Sequence, residues 1–382
     1  MAEKVCPKCG EKVLGASEAC PFCGSDLQGQ KGNKRGFTKK QKRAIQIICA
    51  AIGIVVAACV AFVIILMNHP FEFAENEDGT YTVIHCNKYV KKASIPEIYE
   101  DQPVTKIDKG AFAGCEKLVS VEIPNSITAI EDYAFEGCVS LTSVTIPNSV
   151  KKIGFRAFEG CISLTDITIP NSVTKIDYRA FGGCSGLTSL VFEGNSRLNF
   201  IDEYAFEDCP LECAVLPTAA ILAIPRKQLK ELTINSGRSL DRWAFAKCKN
   251  LETVTICDQI TVIGDGAFED CKKLKTVIIG NGVRKIDKNA FSRCTSLTSV
   301  IFGDKNQLAS IGGWAFYGCE ALTSFTILKS VTKIDVYAFA ECTNLANIKY
   351  GGSEMQWYWN VDKGERWDYY AGEYTVTFAI VE

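Results

Sequence analysis

A block of about 23 residues returns through most of this chain, and it leaves few folds open. Its most regular copy runs from Ile146 to Thr168, IPNSVKKIGFRAFEGCISLTDIT. An Ala-Phe pair marks each return: Ala111-Phe112, Ala134-Phe135, Ala157-Phe158, Ala180-Phe181, Ala205-Phe206, Ala244-Phe245, Ala267-Phe268, Ala290-Phe291, Ala315-Phe316 and Ala338-Phe339. A cysteine follows every pair after two more positions, from Cys115 and Cys138 through to Cys342. One unit of this size cannot bury its own apolar face, so the units must stack into a solenoid.

Within a unit, Leu164-Thr165-Asp166-Ile167-Thr168-Ile169 is apolar at its first, fourth and sixth positions. That is an LxxLxL strand, with Leu and Ile inward and Asp166 and Thr168 outward. Pro170-Asn171-Ser172 makes a turn, and Val173 with Ile176 begins a second inward segment. An acid then stands at Asp108, Glu131, Asp177, Asp202, Asp241, Asp287 and Asp335, with Gly at 154, 264 and 312. Such a residue suits the N-cap of a short helical turn carrying Ala-Phe; a column of acids also binds calcium in some β-helical repeats, but one carboxylate per coil favours capping. The expected fold is therefore an α+β repeat solenoid of short strands and short helical turns. Thirteen cysteines follow residue 67. Their odd number and regular placement favour buried thiols, although coils about 4.8 Å apart also come within disulfide reach.

The pattern I-P-x-S-V-x-x-I-x-x-x-A-F-x-G-C-x-x-L-T-x-V resembles the BspA-like leucine-rich repeats of bacterial and some protist surface proteins, over roughly residues 71–357. Glu77-Asp78-Gly79-Thr80-Tyr81 is similar to the turn of that family's capping hairpin. Tyr350-Gly351-Gly352-Ser353 with Gln356-Trp357 is similar to its closing segment. The resemblance implies a surface protein that binds host or bacterial ligands, often proteins. Between Cys209 and Trp243 the pattern breaks: Ala214-Val215-Leu216-Pro217 and Ala223-Ile224-Pro225 stand in place of the Ala-Phe turn, and an irregular coil is expected over about 209–243.

Ahead of the repeats, Ala44–Met67 carries no charge. As a helix its 24 residues would reach about 36 Å, enough to cross a hydrocarbon core of about 30 Å. Before it come Lys31, Lys34, Arg35, Lys39, Lys40, Lys42 and Arg43 with no acid among them; beyond it come Glu72, Glu75, Glu77 and Asp78. The positive-inside bias places the N-terminus in the cytoplasm and the repeats outside, as a single-pass protein of the cell membrane. The basic run reads as a topology signal in a solvated linker, in preference to a nucleic-acid site.

Residues 1–24 hold Cys6-Pro7-Lys8-Cys9-Gly10 and Cys20-Pro21-Phe22-Cys23-Gly24. Two thiolate pairs on tight turns offer four soft ligands, which suits a closed, structural Zn²⁺ site of Cys6, Cys9, Cys20 and Cys23. The stretch resembles the short zinc ribbon found at the N-terminus of many bacterial membrane proteins. The expected organisation is a zinc ribbon (1–27), a basic linker (28–43), a transmembrane helix (44–67), an N-terminal cap (68–104), leucine-rich repeats (105–349) and a C-terminal cap (350–382).

With two histidines and no GxSxG, HExxH or phosphate loop, the chain offers little to catalysis. The outward strand positions are the candidate ligand face: Ser143, Thr145, Asp166, Thr168, Ser189, Val191, Thr253, Thr255, Thr276, Ile278, Ser299 and Ile301, with Val191, Ile278 and Ile301 read as a small apolar cluster. Lys106, Lys152, Lys175, Lys285 and Lys333 recur beside the second inward segment, where they would steer acidic partners or keep the sheet soluble. The expected function is a membrane-anchored surface protein that recognises an extracellular protein or glycan. The alternative is a transmembrane receptor that reaches a cytoplasmic protein partner through the zinc ribbon.

Overall fold

A computed structural model describes residues 3–6, 8–14, 19–25, 70–194 and 196–379. The apolar run Ala44–Met67 and the basic run before it lie outside these residues; among the described residues no helix is long and apolar enough to cross a membrane. The chain divides into two compact units, Met1–Ile65 and Leu66–Glu382.

The second unit is a β-solenoid. Each regular coil lays down one strand from its LxxLxL segment and a two-residue strand, often Lys-Ile, from its second inward segment, and both pair in parallel with neighbouring coils. Asp166–Ile169 thus pairs with Ser189–Phe192 in the register Asp166↔Ser189 and Thr168↔Val191, while Lys152–Ile153 pairs with Lys175–Ile176. A one-residue slip would turn the inward Ile out to water, so the alternation fixes the register. Leu164, Ile167, Ile169, Val173 and Ile176 are all buried.

The Ala-Phe turn is not helical, contrary to the sequence expectation. Two residues in nearly every turn have left-handed backbone (the turn at Ala205-Phe206 has one, Asp208), and no α-helix continues through such a position. In one coil these are Arg156 (φ 53°) and Gly160 (φ 72°); in the next, Arg179 (φ 49°) and Gly183 (φ 67°). The amides this frees turn sideways to the next coil: Phe135 N donates to Ala157 O at 2.7 Å and Phe158 N to Ala180 O at 2.7 Å. The turn thereby acts as a third inter-coil ladder. Among the described residues the helices are a 3-10 segment, Thr218–Ala223, and one α-helix, Glu354–Trp359, so the molecule is a β-solenoid rather than an α+β one.

Stacking coils also stacks their phenylalanines. Ring centroids lie 5.0 Å apart for Phe135–Phe158, 5.1 Å for Phe158–Phe181 and 5.0 Å for Phe181–Phe206, with planes within 5° of parallel. A second run extends from Phe245 through Phe268, Phe291 and Phe316 to Phe339.

The gap between the runs is the irregular coil, and its geometry corrects the sequence reading. Cys213–Pro217 does not replace an Ala-Phe turn; it is a regular ladder strand, paired with Ser189–Phe192 on one side and Glu231–Ser236 on the other. What this coil lacks is the second strand and the turn, for which Thr218–Ala223 substitutes. The second ladder accordingly stops at Phe200–Ile201 and restarts at Ser239–Leu240. Ala220, Ile221 and Ala223 fill the interior there, and the Arg226 guanidinium lies 5.6 Å from the Phe245 ring, closing the second stack from below.

Both ends of the stack are covered. At the start, Phe71–Glu75 and Tyr81–Cys86 form an antiparallel hairpin, with Phe71 edge-on to Phe112. At the finish, Trp367 occupies the Ala position of a final coil and meets Phe339 edge-on at 5.9 Å, and Trp357 packs on Trp367. Tyr358, Trp359 and Tyr370 are exposed, so the C-terminal aromatics divide between plug and surface.

Candidate functional site

In the first unit, Glu3–Val5 pairs antiparallel with Lys12–Leu14. Two knuckles repeat the same bonds. Gly10 N donates to Cys6 O and Gly24 N to Cys20 O, both at 2.9 Å, while Cys6 N reaches Glu11 O and Cys20 N reaches Ser25 O. Gly10 (φ 79°) and Gly24 (φ 70°) supply the left-handed backbone that turns each knuckle, a conformation costly for any residue with a Cβ. The Sγ atoms of Cys6, Cys9, Cys20 and Cys23 lie within 4.8 Å of one another, with Cys6–Cys23 and Cys9–Cys20 at 3.6 Å. Four thiolates on a tetrahedral metal with bonds of about 2.3 Å would stand about 3.8 Å apart, so a set gathered within 4.8 Å could close on such an ion by small side-chain shifts. The Ser25 hydroxyl, 3.1 Å from Cys6 Sγ, and then the amides of Cys9 and Lys8 hold the Cys6 thiol down to about 6. Ser25 also lies 3.1 Å from Cys23 Sγ and lowers that thiol likewise. Cys9 goes the other way: the Glu11 amide favours its thiolate, but burial and the neighbouring thiols push it up to about 12, so only part of the set favours the charged form a soft metal requires.

In the second unit the outward rows of the first strands run side by side. One row carries Asp166, Ser189, Cys213, Glu231, Thr253, Thr276 and Ser299; the other carries Thr168, Val191, Val215, Thr233, Thr255, Ile278 and Ile301. Ser143 and Thr145 belong to the coil before, where Ser143 pairs with Ser120. Ten of the twelve candidate residues therefore share one ladder, while Ser143 lies on a separate one and Thr145 just past its strand. They are unequally accessible: Ser143, Thr145, Asp166, Thr168, Ile278 and Ile301 are exposed, whereas Ser189, Val191, Thr253, Thr255, Thr276 and Ser299 are half-buried.

The three aliphatic residues do not form one cluster. Val191 neighbours Val215 and Ile278 neighbours Ile301, but Thr233 and Thr255 stand between the pairs. Four strand steps separate Val191 from Ile278, about 19 Å. Val215 was not among the candidates, yet Leu211-Glu212-Cys213-Ala214-Val215-Leu216 carries the strand signature with Ala in place of the middle Leu.

The recurrent lysines are on a different ladder and are largely neutralised. Lys152 Nζ lies 2.6 Å from Glu131, Lys175 2.8 Å from Asp177, Lys285 3.3 Å from Asp287 and Lys333 3.4 Å from Asp335. The acids expected to cap helices thus mostly hold lysines. Asp202 does accept the amide of Tyr204 at 2.9 Å, as a turn-capping acid would.

The cysteine column lies beneath the surface. Eight of the ten column thiols donate to the phenylalanine carbonyl of the coil before, among them Cys138 to Phe112 O at 3.2 Å, Cys161 to Phe135 O at 3.3 Å and Cys342 to Phe316 O at 3.1 Å, whereas Cys115, in the first coil, turns to Cys86 O. The described cysteines are unbridged. Burial pushes the Cys161 and Cys342 thiols up to about 12, and Cys138, Cys294 and Cys319 in the same direction.

A family model described as the BspA type leucine rich repeat region, in six copies, matches residues 105–226 and 223–346. This chain belongs to the BspA-type leucine-rich repeat family. The match begins and ends inside the solenoid and passes through its irregular coil. Solved structures with the same kind of repeat include a leucine rich cell surface protein from Faecalibacterium prausnitzii. It is 26% identical, matched over 76% of this chain and 96% of its own, with a TM-score of 0.33. A leucine-rich repeat protein from Bacteroides ovatus is 24% identical over 81% of this chain and 98% of its own, with a TM-score of 0.34. The T. pallidum leucine rich repeat protein is 20% identical over 79% and 97%, with a TM-score of 0.32. No curated protein matches this BspA-type chain.

Proposed function

We propose that this protein is a membrane-anchored surface protein whose solenoid recognises an extracellular protein or glycan, and whose Cys6, Cys9, Cys20 and Cys23 hold a structural Zn²⁺. The observation that carries the binding reading is the uninterrupted outward face from Asp166–Ile169 to Ser299–Phe302, seven strands in one ladder. It offers hydroxyls with two aliphatic steps, Val191–Val215 and Ile278–Ile301, and few charges, the composition that neutral partners fit without desolvating ions. Its continuity gives a partner several coils to span. The leucine rich cell surface protein from Faecalibacterium prausnitzii supports a surface role by likeness.

The test is capture of surface proteins and glycans by the full chain, compared with a chain carrying Ile278→Glu and Ile301→Glu. Both side chains are exposed, so folding should survive. Loss of capture with an unchanged thermal midpoint supports the face; undiminished capture removes it. For the metal, the full chain purified without chelator should contain one zinc per molecule by elemental analysis. Replacing Cys20 with Ser should abolish it, and a chain that holds no zinc from the start would end that assignment.

A further inference from the structure

We infer that the N-terminal end of the solenoid is a membrane-apposed surface, on which Lys88, Lys91, Lys92 and Lys117, with Tyr89 and Phe71, rest against anionic lipid headgroups. The inference depends on reading Ala44–Met67 as the membrane span and goes beyond it by naming the surface that touches lipid.

The covalent chain sets the distance. Met67 is followed by only three residues before Phe71, and four residue steps reach at most about 14 Å. Asn87 N donates to Pro70 O at 2.8 Å, and Phe71 pairs with Cys86, so the loop after Cys86 is fastened to the point where the solenoid begins. Lys88 and Tyr89 are one and two residues further on. The headgroup layer adds about 6 Å beyond the hydrocarbon on each side, and charges act across a Debye length of about 8 Å. A folded body tethered this closely keeps its first coil in that zone.

The side chains suit the place. Tyr89 is 75% exposed, and Lys117 Nζ lies 5.0 Å from its ring centre. Lys88, Lys91, Lys92 and Lys117 are all exposed, against the exposed acids Glu72, Glu116 and, on the strand paired with Lys92–Ser94, Glu122, so the patch stays net positive. A ring with a polar tip beside lysines is the pairing favoured at lipid interfaces. Charge is also segregated along the cap. Glu75, Glu77 and Asp78 lie at the other end of the hairpin, about 13 Å along the strand from Phe71, where they point no charge at the lipid end. Lys92–Ser94 is moreover the terminal strand of its ladder, so this end of the coil faces outward rather than onto another repeat.

Hydrogen exchange tests the inference on the full chain in nanodiscs of phosphatidylcholine alone and of an equal mixture with phosphatidylglycerol. One lysine at an anionic surface is worth a factor of about five, so amides of residues 87–92 should exchange at least about fivefold more slowly in the mixture. The difference should vanish at high salt and in a chain with Lys88→Glu, Lys91→Glu and Lys92→Glu, whose amides around Phe158 should keep native protection. Protection of 44–67 with equal exchange of 87–92 in the two lipids overturns the surface and leaves the anchor standing. Free exchange of 44–67 overturns both. Should the triple variant lose protection around Phe158, the salt series on the unaltered chain decides alone.

Discussion

At Phe158 the repeat is reduced to one side chain, fully buried and sandwiched between two nearly parallel rings. The centroid spacing is close to the distance between neighbouring strands and lies within the range of favourable stacking, so coil rise and ring preference agree here. Phe158→Ala should cost about 3–5 kcal/mol, read as a lowered midpoint in urea; an unmoved midpoint would mean the ring is not core. The cysteine beside it serves a different need. Phe135 O already accepts the Cys138 amide at 3.2 Å, and the Cys161 thiol supplies a second, weak donor to the same oxygen in a space too tight for a larger group. Burial keeps the column unreactive, reinforced at Cys138, Cys161, Cys294, Cys319 and Cys342 by the upward push it gives the thiol. Maleimide should therefore label the half-buried Cys213 and Cys257 well before any column cysteine in the native protein, whereas denaturant should release all of them together. Early labelling of Cys161 would contradict its placement.

Among the elements, the turn is what a periodic reading is least able to resolve. Asp-Tyr-Arg-Ala-Phe has the composition of a capped helical turn, and nothing in its spacing warns of two left-handed residues. The second of them was visible as Gly114, Gly137, Gly160, Gly183 and Gly318, but Asp208, Lys247, Asp270, Arg293 and Glu341 fill the same place elsewhere. The first is Tyr, Arg, Trp or Asn in most coils, and only inter-coil bonds from the flanking amides justify the strain. Gly160→Val should lower stability by about 1–2 kcal/mol, because a β-branched residue resists φ of 72°. Its nearest foreign atom would be 3.9 Å from the new Cβ, so the loss would be conformational rather than a clash. A circular-dichroism melt with no shift would show that the turn tolerates any residue there.

For the molecule as a whole, the column of neutral thiols makes stability depend on alkaline pH. Unfolding returns each thiol to about 8.5, while Cys161 and Cys342 sit at about 12 when folded. Between these values the unfolded chain has lost protons that the folded chain keeps, so stability is complete below about pH 8.5 and falls as pH rises, by up to about 1.4 kcal/mol per pH unit for each such thiol. Melts in reductant at pH 8 and pH 10 should show a clear drop, smaller in Cys161→Ala than in the parent; a flat profile would mean that the column ionises as freely folded as unfolded. The sequence by itself determined the solenoid, its inward residues, its register and the four-cysteine constellation, because each follows from which positions along the chain are apolar or sulfur-bearing, and local periodicity is enough to specify that. Only the tertiary structure decided that the Ala-Phe turn is a third ladder, that Cys213–Pro217 belongs to the outward row of strands and that the aliphatic residues of that row divide into two pairs. Those outcomes depend on which amide finds a partner in the next coil and on which strand ends up beside which, and neither is a property of any one repeat.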